Sequence, residues 1–212
     1  MRSIVAVCLL MSALGFAQDA DYHRHNAYFG VGAAMPVGNT SNYLSTAPLI
    51  NFGYGYRFNR FFQADAGVEM AFGAANNQNA EITNVGAIQG GDHEFMIPLG
   101  GRIHIPQPVK RLDFSVGGGT AYLHYSETIS SSSSGYGYGY QVGCYSCTSR
   151  GGWGGYGLAN VSYFLDSNRM IHVGTTFQFI SASTNGPAVG NVPALKTTDH
   201  WTNISFEFGL SF

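Results

Sequence analysis

The sequence predicts an all-β fold, an eight-stranded antiparallel up-and-down barrel that crosses a membrane with its strands and has short periplasmic turns and long extracellular loops. Three observations point there. Apolar residues alternate with small or polar ones, with a period of two, in eight separate stretches, as strands with two unlike faces require. Asp, Glu, Lys and Arg together make only 10 % of the 212 residues, against about 25 % in an ordinary soluble domain, so something other than charge must cover the outer surface. Gly, Phe and Tyr contribute 29, 15 and 13 residues, an aromatic content at odds with a long disordered tail. No run of like charge marks a nucleic-acid or polyanion binder, and the net charge of −2 steers nothing. After the N-terminus no apolar stretch approaches the roughly 20 residues that a spanning helix needs.

Residues 1–17, MRSIVAVCLLMSALGFA, have the order of an export signal: Arg2, an apolar stretch from Ile4 to Leu14, then small residues Gly15 and Ala17 before a cut at Gln18. The cut could fall as late as residue 20. The barrel domain is expected over residues 25–212.

The eight segments follow in order. Residues 27–35 place Ala27, Phe29, Val31, Ala33 and Met35 on one face. Residues 48–58 do so with Ile50, Phe52, Tyr54, Tyr56 and Phe58, and residues 61–73 with Phe62, Ala64, Ala66, Val68, Met70 and Phe72. In residues 93–105 the face is Phe95, Ile97, Leu99, Ile103 and Ile105, and in 111–126 it is Leu112, Phe114, Val116, Gly118, Thr120 and Tyr122. Residues 153–165 end with Val161, Tyr163 and Leu165, 170–181 carry Ile171, Val173, Thr175, Phe177 and Phe179, and 201–212 carry Ile204, Phe206, Phe208, Leu210 and Phe212.

Alternation alone fits a soluble barrel as well. The character of the faces decides the matter. One face is bulky and aromatic, whereas the other is mainly Gly, Ser, Asn, Gln and Ala with isolated charges. A narrow eight-stranded lumen is filled by small side chains, while lipid accepts large ones without limit of volume, so the apolar face is expected to point outward into lipid. Closure is then obligatory, because unpaired backbone groups in lipid cost several kcal/mol each. The links around Asn59 and Arg60, Pro106 to Lys110, and Asp166 to Arg169 are short; those near 36–47, 74–92, 127–152 and 182–200 are longer. Tyr56, Phe58, Phe61 and Phe62 are expected in an aromatic girdle by the periplasmic turns, and Tyr122, Trp153 and Trp201 in one toward the loops.

Parity sends Arg57, Asp65, Glu69, Glu94, Arg102, Asp113 and Glu207 into the lumen, with His104 and His172 nearby. Two readings follow: a hydrogen-bonded polar core that plugs the barrel, in which the two Arg side chains bridge carboxylates of neighbouring strands, or a narrow, weakly cation-preferring path for small solutes. Pro98 on the inward face removes a ladder donor and predicts a bulge or local distortion.

Residues 127–152 read ETISSSSSGYGYGYQVGCYSCTSRGG. Such a segment is either a solvated spacer or, through Tyr136, Tyr138, Tyr140 and Tyr145, a contact surface for an extracellular ligand. Cys144 and Cys147 are expected to form a local disulfide outside the cytoplasm. The Gly and Ser context offers no helix N-terminus to activate a redox pair, and no further ligands for zinc lie nearby in sequence. No cofactor or metal is expected.

His124 and Ser126, on the lipid-facing parity, with Glu127 next, resemble the His-x-Ser element of the outer-membrane lipid A 3-O-deacylases. That resemblance implies an esterase at the membrane surface. The family's Asn after Ser is Glu127 here, and Tyr138 stands about where its Glu would be. A broader resemblance rests on GYGYRFNRFFQADAGVEMAFG and the last segment NISFEFGLSF, in which Phe206, Phe208, Leu210 and Phe212 alternate. Together with the whole pattern, they resemble the small outer membrane protein β-barrel domain group, akin to the OmpA-like and OmpW-like barrels. It implies a place in the bacterial outer membrane among lipids and lipopolysaccharide, recognition of the final strand by the barrel assembly machinery, and a structural or surface-interaction role. A monomer that is not an enzyme is expected.

Overall fold

The computed structural model describes residues 22–74, 81–83, 86–107, 109, 111–132, 141–142, 148–187 and 195–212. Eight antiparallel strands build the barrel: β1 (His25–Pro36), β2 (Ala47–Arg57), β3 (Phe62–Phe72), β4 (Gly86–Ile105), β5 (Leu112–Ser132), β6 (Thr148–Phe164), β7 (Ile171–Gly186) and β8 (Leu195–Ser211). Each pairs with its sequence neighbours, and β1 also pairs with β8, so the eight strands close on themselves. The seam is tied where it ends: His25 N donates to Phe212 O at 2.9 Å, Phe212 N returns a bond to His25 O at 2.8 Å, and the two rings stack.

The strands on one side are taller than the alternating segments suggest. β1 to β3 have 12, 11 and 11 residues, but β4 to β8 have 20, 21, 17, 16 and 17. About 9–11 tilted residues suffice to span a bilayer, so β4 to β8 continue past the membrane. Parts of the links expected at 74–92, 127–152 and 182–200 are therefore paired strand. Two short strands, Glu81–Thr83 and Gln141–Val142, extend the ladders beside β4 and β5. The reason sequence reading stops short is that apolar alternation fades once a strand leaves lipid, while backbone pairing does not.

Side chains of the short turns hold two of them. Asn59 Oδ1 accepts from Phe61 N and Phe62 N at 2.8 and 2.9 Å between β2 and β3, an Asx turn that stands in for backbone pairing. Between β6 and β7, Asp166 accepts from Asn168 N, Met170 N and Ile171 N. These backbone donors hold the Asp166 carboxyl below its usual range. At the opposite end a 3-10 turn, Gly38–Asn42, sits over the barrel, and its Thr40 Oγ1 accepts from His200 N at 2.9 Å.

Distribution of side chains is the reverse of a soluble protein. Phe29, Val31, Phe52, Leu99, Ile103, Val116, Val161, Val173, Phe177 and Phe208 are exposed, and Phe206 is 67 % exposed, while Asp65, Glu69, Glu94, Arg102 and Glu207 in the strand interiors are buried. No helix among the described residues is long and apolar enough to cross a membrane; the strands carry the apolar belt instead. Each such side chain moved from water into lipid gains about 1.5–3 kcal/mol, so the belt is stable only in an apolar solvent. Of the expected girdle, Tyr56 meets Phe58 edge-on at 5.2 Å and Tyr122 packs on Trp153 at 5.3 Å, both pairs on the outer face. Trp201 does not belong there. It is 1 % exposed and faces inward, because the odd positions of β8 carry the lumen side chains.

Pro98 interrupts pairing without shifting it. β3 and β4 pair at Ala66↔Leu99 and again at Glu69↔Met96 in unchanged register, and the ladder skips the two positions between. The expected distortion is thus a gap in the ladder, with no inserted residue.

Candidate functional site

The lumen is where the charged residues meet, and β-strand parity is what brings them there. All seven residues assigned to it by parity are buried: Arg57, Asp65, Glu69, Glu94, Arg102, Asp113 and Glu207. Their partners divide the interior into levels.

Nearest the short turns, Arg57 Nη2 lies 2.7 and 2.8 Å from the two ring nitrogens of His104, and His104 Nδ1 lies 2.7 Å from Asp113 Oδ2. Arg57 reaches Asp113 itself at 3.7 Å. This pair joins β2 to β5 across the lumen, so Arg57 does not bridge neighbouring strands as expected. Arg102 on β4 does, with its Nε 2.7 Å from Asp65 Oδ2 on adjacent β3. Gln63 donates to the other Asp65 oxygen at 2.7 Å, and the Arg102 guanidinium lies over the Tyr28 ring.

Tyr28 finds room because Gly53 stands opposite it on β2: a Cβ there would lie 2.0 Å from Tyr28 Cζ. Gly209 does the same for His172, whose Nε2 would be 2.1 Å from an added Cβ. The small lumen residues of the sequence are therefore the seats of large inward rings.

At mid-height two carboxylates are held by neutral donors. Glu207 accepts from Asn51 Nδ2 at 3.0 Å, Ser205 Oγ at 3.1 Å and Asn160 Nδ2 at 3.3 Å. Glu69 accepts from Asn203 Nδ2 at 2.6 Å. Two cavities among these side chains have about 10 Å³ each, and a single water needs about 10–15 Å³. The polar interior is a plug.

Above this level the lumen turns apolar, which the sequence analysis missed. Leu49, Met96, Leu123, Ile180 and Trp201 are essentially buried, with Ala34, Ala47, Ala71, Ala121 and Ala182 between them and Leu44 entering from the loop after the 3-10 turn. The signal lay in the parity of Leu49, Met96, Leu123 and Ile180, each an apolar residue at an inward position. Glu94 is 0 % exposed at the edge of this layer, and neither of its carboxylate oxygens has a hydrogen-bond partner.

Beyond the apolar layer, Asp199 gathers donors: Thr184 Oγ1 at 2.6 Å, Tyr43 Oη at 2.7 Å and Arg150 Nε at 3.1 Å. Arg150 also lies over the rings of Tyr125 and Tyr43. Burial, together with the bond to Asp199, pushes the Tyr43 phenol above its ordinary value. Arg150 and Asp199 escaped the sequence analysis because they stand on the strand extensions.

His124, Ser126 and Glu127 do not converge. His124 stacks on Tyr122 on the outer face, whereas Glu127 accepts a hydrogen bond from the inward Tyr125 at 3.3 Å. A carboxylate on the opposite side of the sheet cannot orient the His124 ring. The Cys144 and Cys147 pair, residues 1–17 and the Tyr-rich centre of the 127–152 segment lie outside the described residues. Among the described residues no group of three or more His, Cys, Asp or Glu is arranged to hold a metal ion.

No family model matches the sequence, and no curated protein matches it. Solved structures do. The chain is similar to Neisserial surface protein A at 10 % identity and TM-score 0.52, over 89 % of this chain and 97 % of that one. It is similar to the outer membrane protein OprG from Pseudomonas aeruginosa at 11 % identity and TM-score 0.51, over 90 % and 98 %. Outer membrane protein AlkL, solved in lipid bilayers, matches at 16 % identity and TM-score 0.51, over 92 % and 94 %. At such identities the likeness speaks for the fold: an eight-stranded antiparallel barrel of the kind found in small bacterial outer-membrane proteins.

Proposed function

We propose that the protein is a structural barrel of the bacterial outer membrane, closed to ions, that presents its long-loop end outward for surface interaction and its short turns to the periplasm. The observation that carries this reading is the filled lumen, in which cavities in the polar half, among the described residues, have about 10 Å³ each and side chains such as Leu123, Ile180 and Trp201 close the other half. A hydrophobic constriction resists wetting and so opposes ion passage. The exposed apolar belt and the closed ladder support the membrane as its solvent.

In this setting the outer-facing row Phe206, Phe208, Leu210 and Phe212 on and after β8 serves as the signal read by the assembly machinery, and Cys144 and Cys147 form a local disulfide on the outer side. The lipids that contact the belt include lipopolysaccharide in the outward leaflet. Planar-bilayer recording of the purified protein tests the central point: no steady current is expected. A steady current that changes on neutralising Glu94 or Glu207 would replace this reading with the cation-preferring path.

A further inference from the structure

At the edge of the apolar layer, Glu94 is 0 % exposed and neither of its oxygens has a hydrogen-bond partner. The lower carboxylates Asp65, Glu69, Asp113 and Glu207 all have side-chain partners. On β4, Glu94 stands three residues beyond Ile97, which pairs with the girdle residue Tyr122, so it lies on the loop side of the girdle.

Charge around it is uneven. Its own strand adds Asp92, two residues away on the same parity, and β8 adds Asp199. Opposite it, β3 presents Ala71 with Glu69 one step lower, and β5 presents Tyr125 with Glu127 beyond. β1, β2 and β7 contribute the apolar Ala34, Leu49 and Ile180. The cation that acts on Glu94 is Arg150 of β6, and it is already engaged: its Nε lies 3.1 Å from Asp199 Oδ2 and its guanidinium lies over the rings of Tyr43 and Tyr125.

A carboxyl group without a donor in an apolar setting is stable as the neutral acid, because nothing there replaces water around the charged form. Once ionised, Glu94 has Arg150 to turn to, at the expense of Asp199. That exchange reaches the end of the barrel. Tyr43 donates to Asp199 at 2.7 Å, and its backbone N donates to Thr40 O in the 3-10 turn. The next residue, Leu44, packs into the apolar layer itself.

We propose that Glu94 is a proton-operated switch. Protonated, it leaves the apolar layer dry and the 3-10 turn seated over the barrel. Ionised, with its proton given up to bulk water, it competes with Asp199 for Arg150, wets the layer and releases the turn. The switch rests on the closed barrel proposed above and acts within it.

The test uses the full chain folded in an alkyl maltoside and carrying Trp153→Phe, so that Trp201, buried in the apolar layer, is the only tryptophan. Gel migration confirms that each variant is folded. As the pH rises from neutral, Trp201 emission should move to longer wavelength and acrylamide should quench it at least threefold more strongly. Glu94→Gln, which keeps the shape and cannot ionise, should abolish both changes. Asp92→Asn removes a like charge and should move the transition to lower pH. At one alkaline pH, amide exchange at Leu44 N, which donates to Thr40 O at 3.1 Å, should run at least tenfold faster with Glu94 present than in Glu94→Gln. The proposal is overturned if Trp201 stays dry at alkaline pH, if Glu94→Gln responds as its parent does, if Asp92→Asn leaves the transition in place, or if Leu44 exchanges equally in both. A steady planar-bilayer current at neutral pH would overturn the closed barrel and the switch with it, whereas loss of the pH response alone leaves the closed barrel standing.

Discussion

The two halves of the lumen solve the same problem in opposite ways. Both are built by the same parity rule from the same strands. In the half toward the short turns, Asp65 pairs with Arg102, and Arg57 and His104 pair with Asp113, so the interior is polar. In the half toward the long loops, Leu49, Met96, Leu123, Ile180 and Trp201 pack as the core of a soluble protein does. The difference shows that an eight-stranded barrel in lipid can exclude water by a polar network or by an apolar layer. It also shows that the cost of an error differs. A polar network fails when one partner is lost, because the survivor keeps its desolvation cost; an apolar layer fails in proportion to the volume removed.

Removing one member of the Arg102–Asp65 pair is the strongest way to test that contrast. Arg102→Met should destabilise the barrel by about 3–5 kcal/mol, the usual effect of stranding a buried charge, measured by urea unfolding in lipid vesicles. The double variant with Asp65→Leu should recover most of the loss. If the double variant is no better than the single one, the pair does not act as a unit.

In the apolar half, Ile180→Ala should cost about 2–5 kcal/mol, and no second substitution elsewhere should rescue it. A loss well below that range would mean the layer relaxes around the gap and is packed less tightly than its burial implies. Glu94, the one lumen carboxylate named from sequence that stands at the edge of the apolar layer with no hydrogen-bond partner, sharpens the comparison from the other side. Glu94→Met should stabilise the protein by about 1–4 kcal/mol, since an apolar side chain of similar size ends the desolvation cost. Destabilisation would show that the carboxyl group has a role the apolar layer needs.

The smallest effect is expected outside the lumen. Asp166 has a depressed pKa in the folded turn, so its contribution is fully present above its unfolded pKa of about 3.9 and is lost as pH falls through the lower folded value. The melting temperature of Asp166→Asn should therefore fall below that of the unaltered protein at pH 7, and the two should converge as the pH falls below the folded value. A difference that does not narrow as the pH is lowered would assign the turn's stability to something other than the carboxylate.

Much of the barrel was legible from the residues because lipid imposes a strict code. Phe29, Phe52, Val116, Val173 and Phe208 had to be large and apolar, and their spacing by two located eight strands and both faces. The seven charges placed inside by parity are buried for the same reason, since a charge on the outer face has no solvent to stabilise it. Trp201 was misplaced when aromatic type was allowed to outweigh parity. The upper ends of β4 to β8 were missed because, above the membrane, water accepts either kind of side chain and the code lapses; Arg150 and Asp199 went unnoticed with them.

Alternation and low charge in the sequence by themselves determined the solvent, the strand count and which residues face inward, because those properties are decided one residue at a time by contact with lipid or lumen. Partnership was decided only in three dimensions. Whether Arg57 pairs beside its own strand or across to β5, whether Glu127 can reach His124, and whether Glu94, Arg150 and Asp199 meet at one end of the lumen depend on closure of the sheet, which brings together residues that no sequence spacing relates.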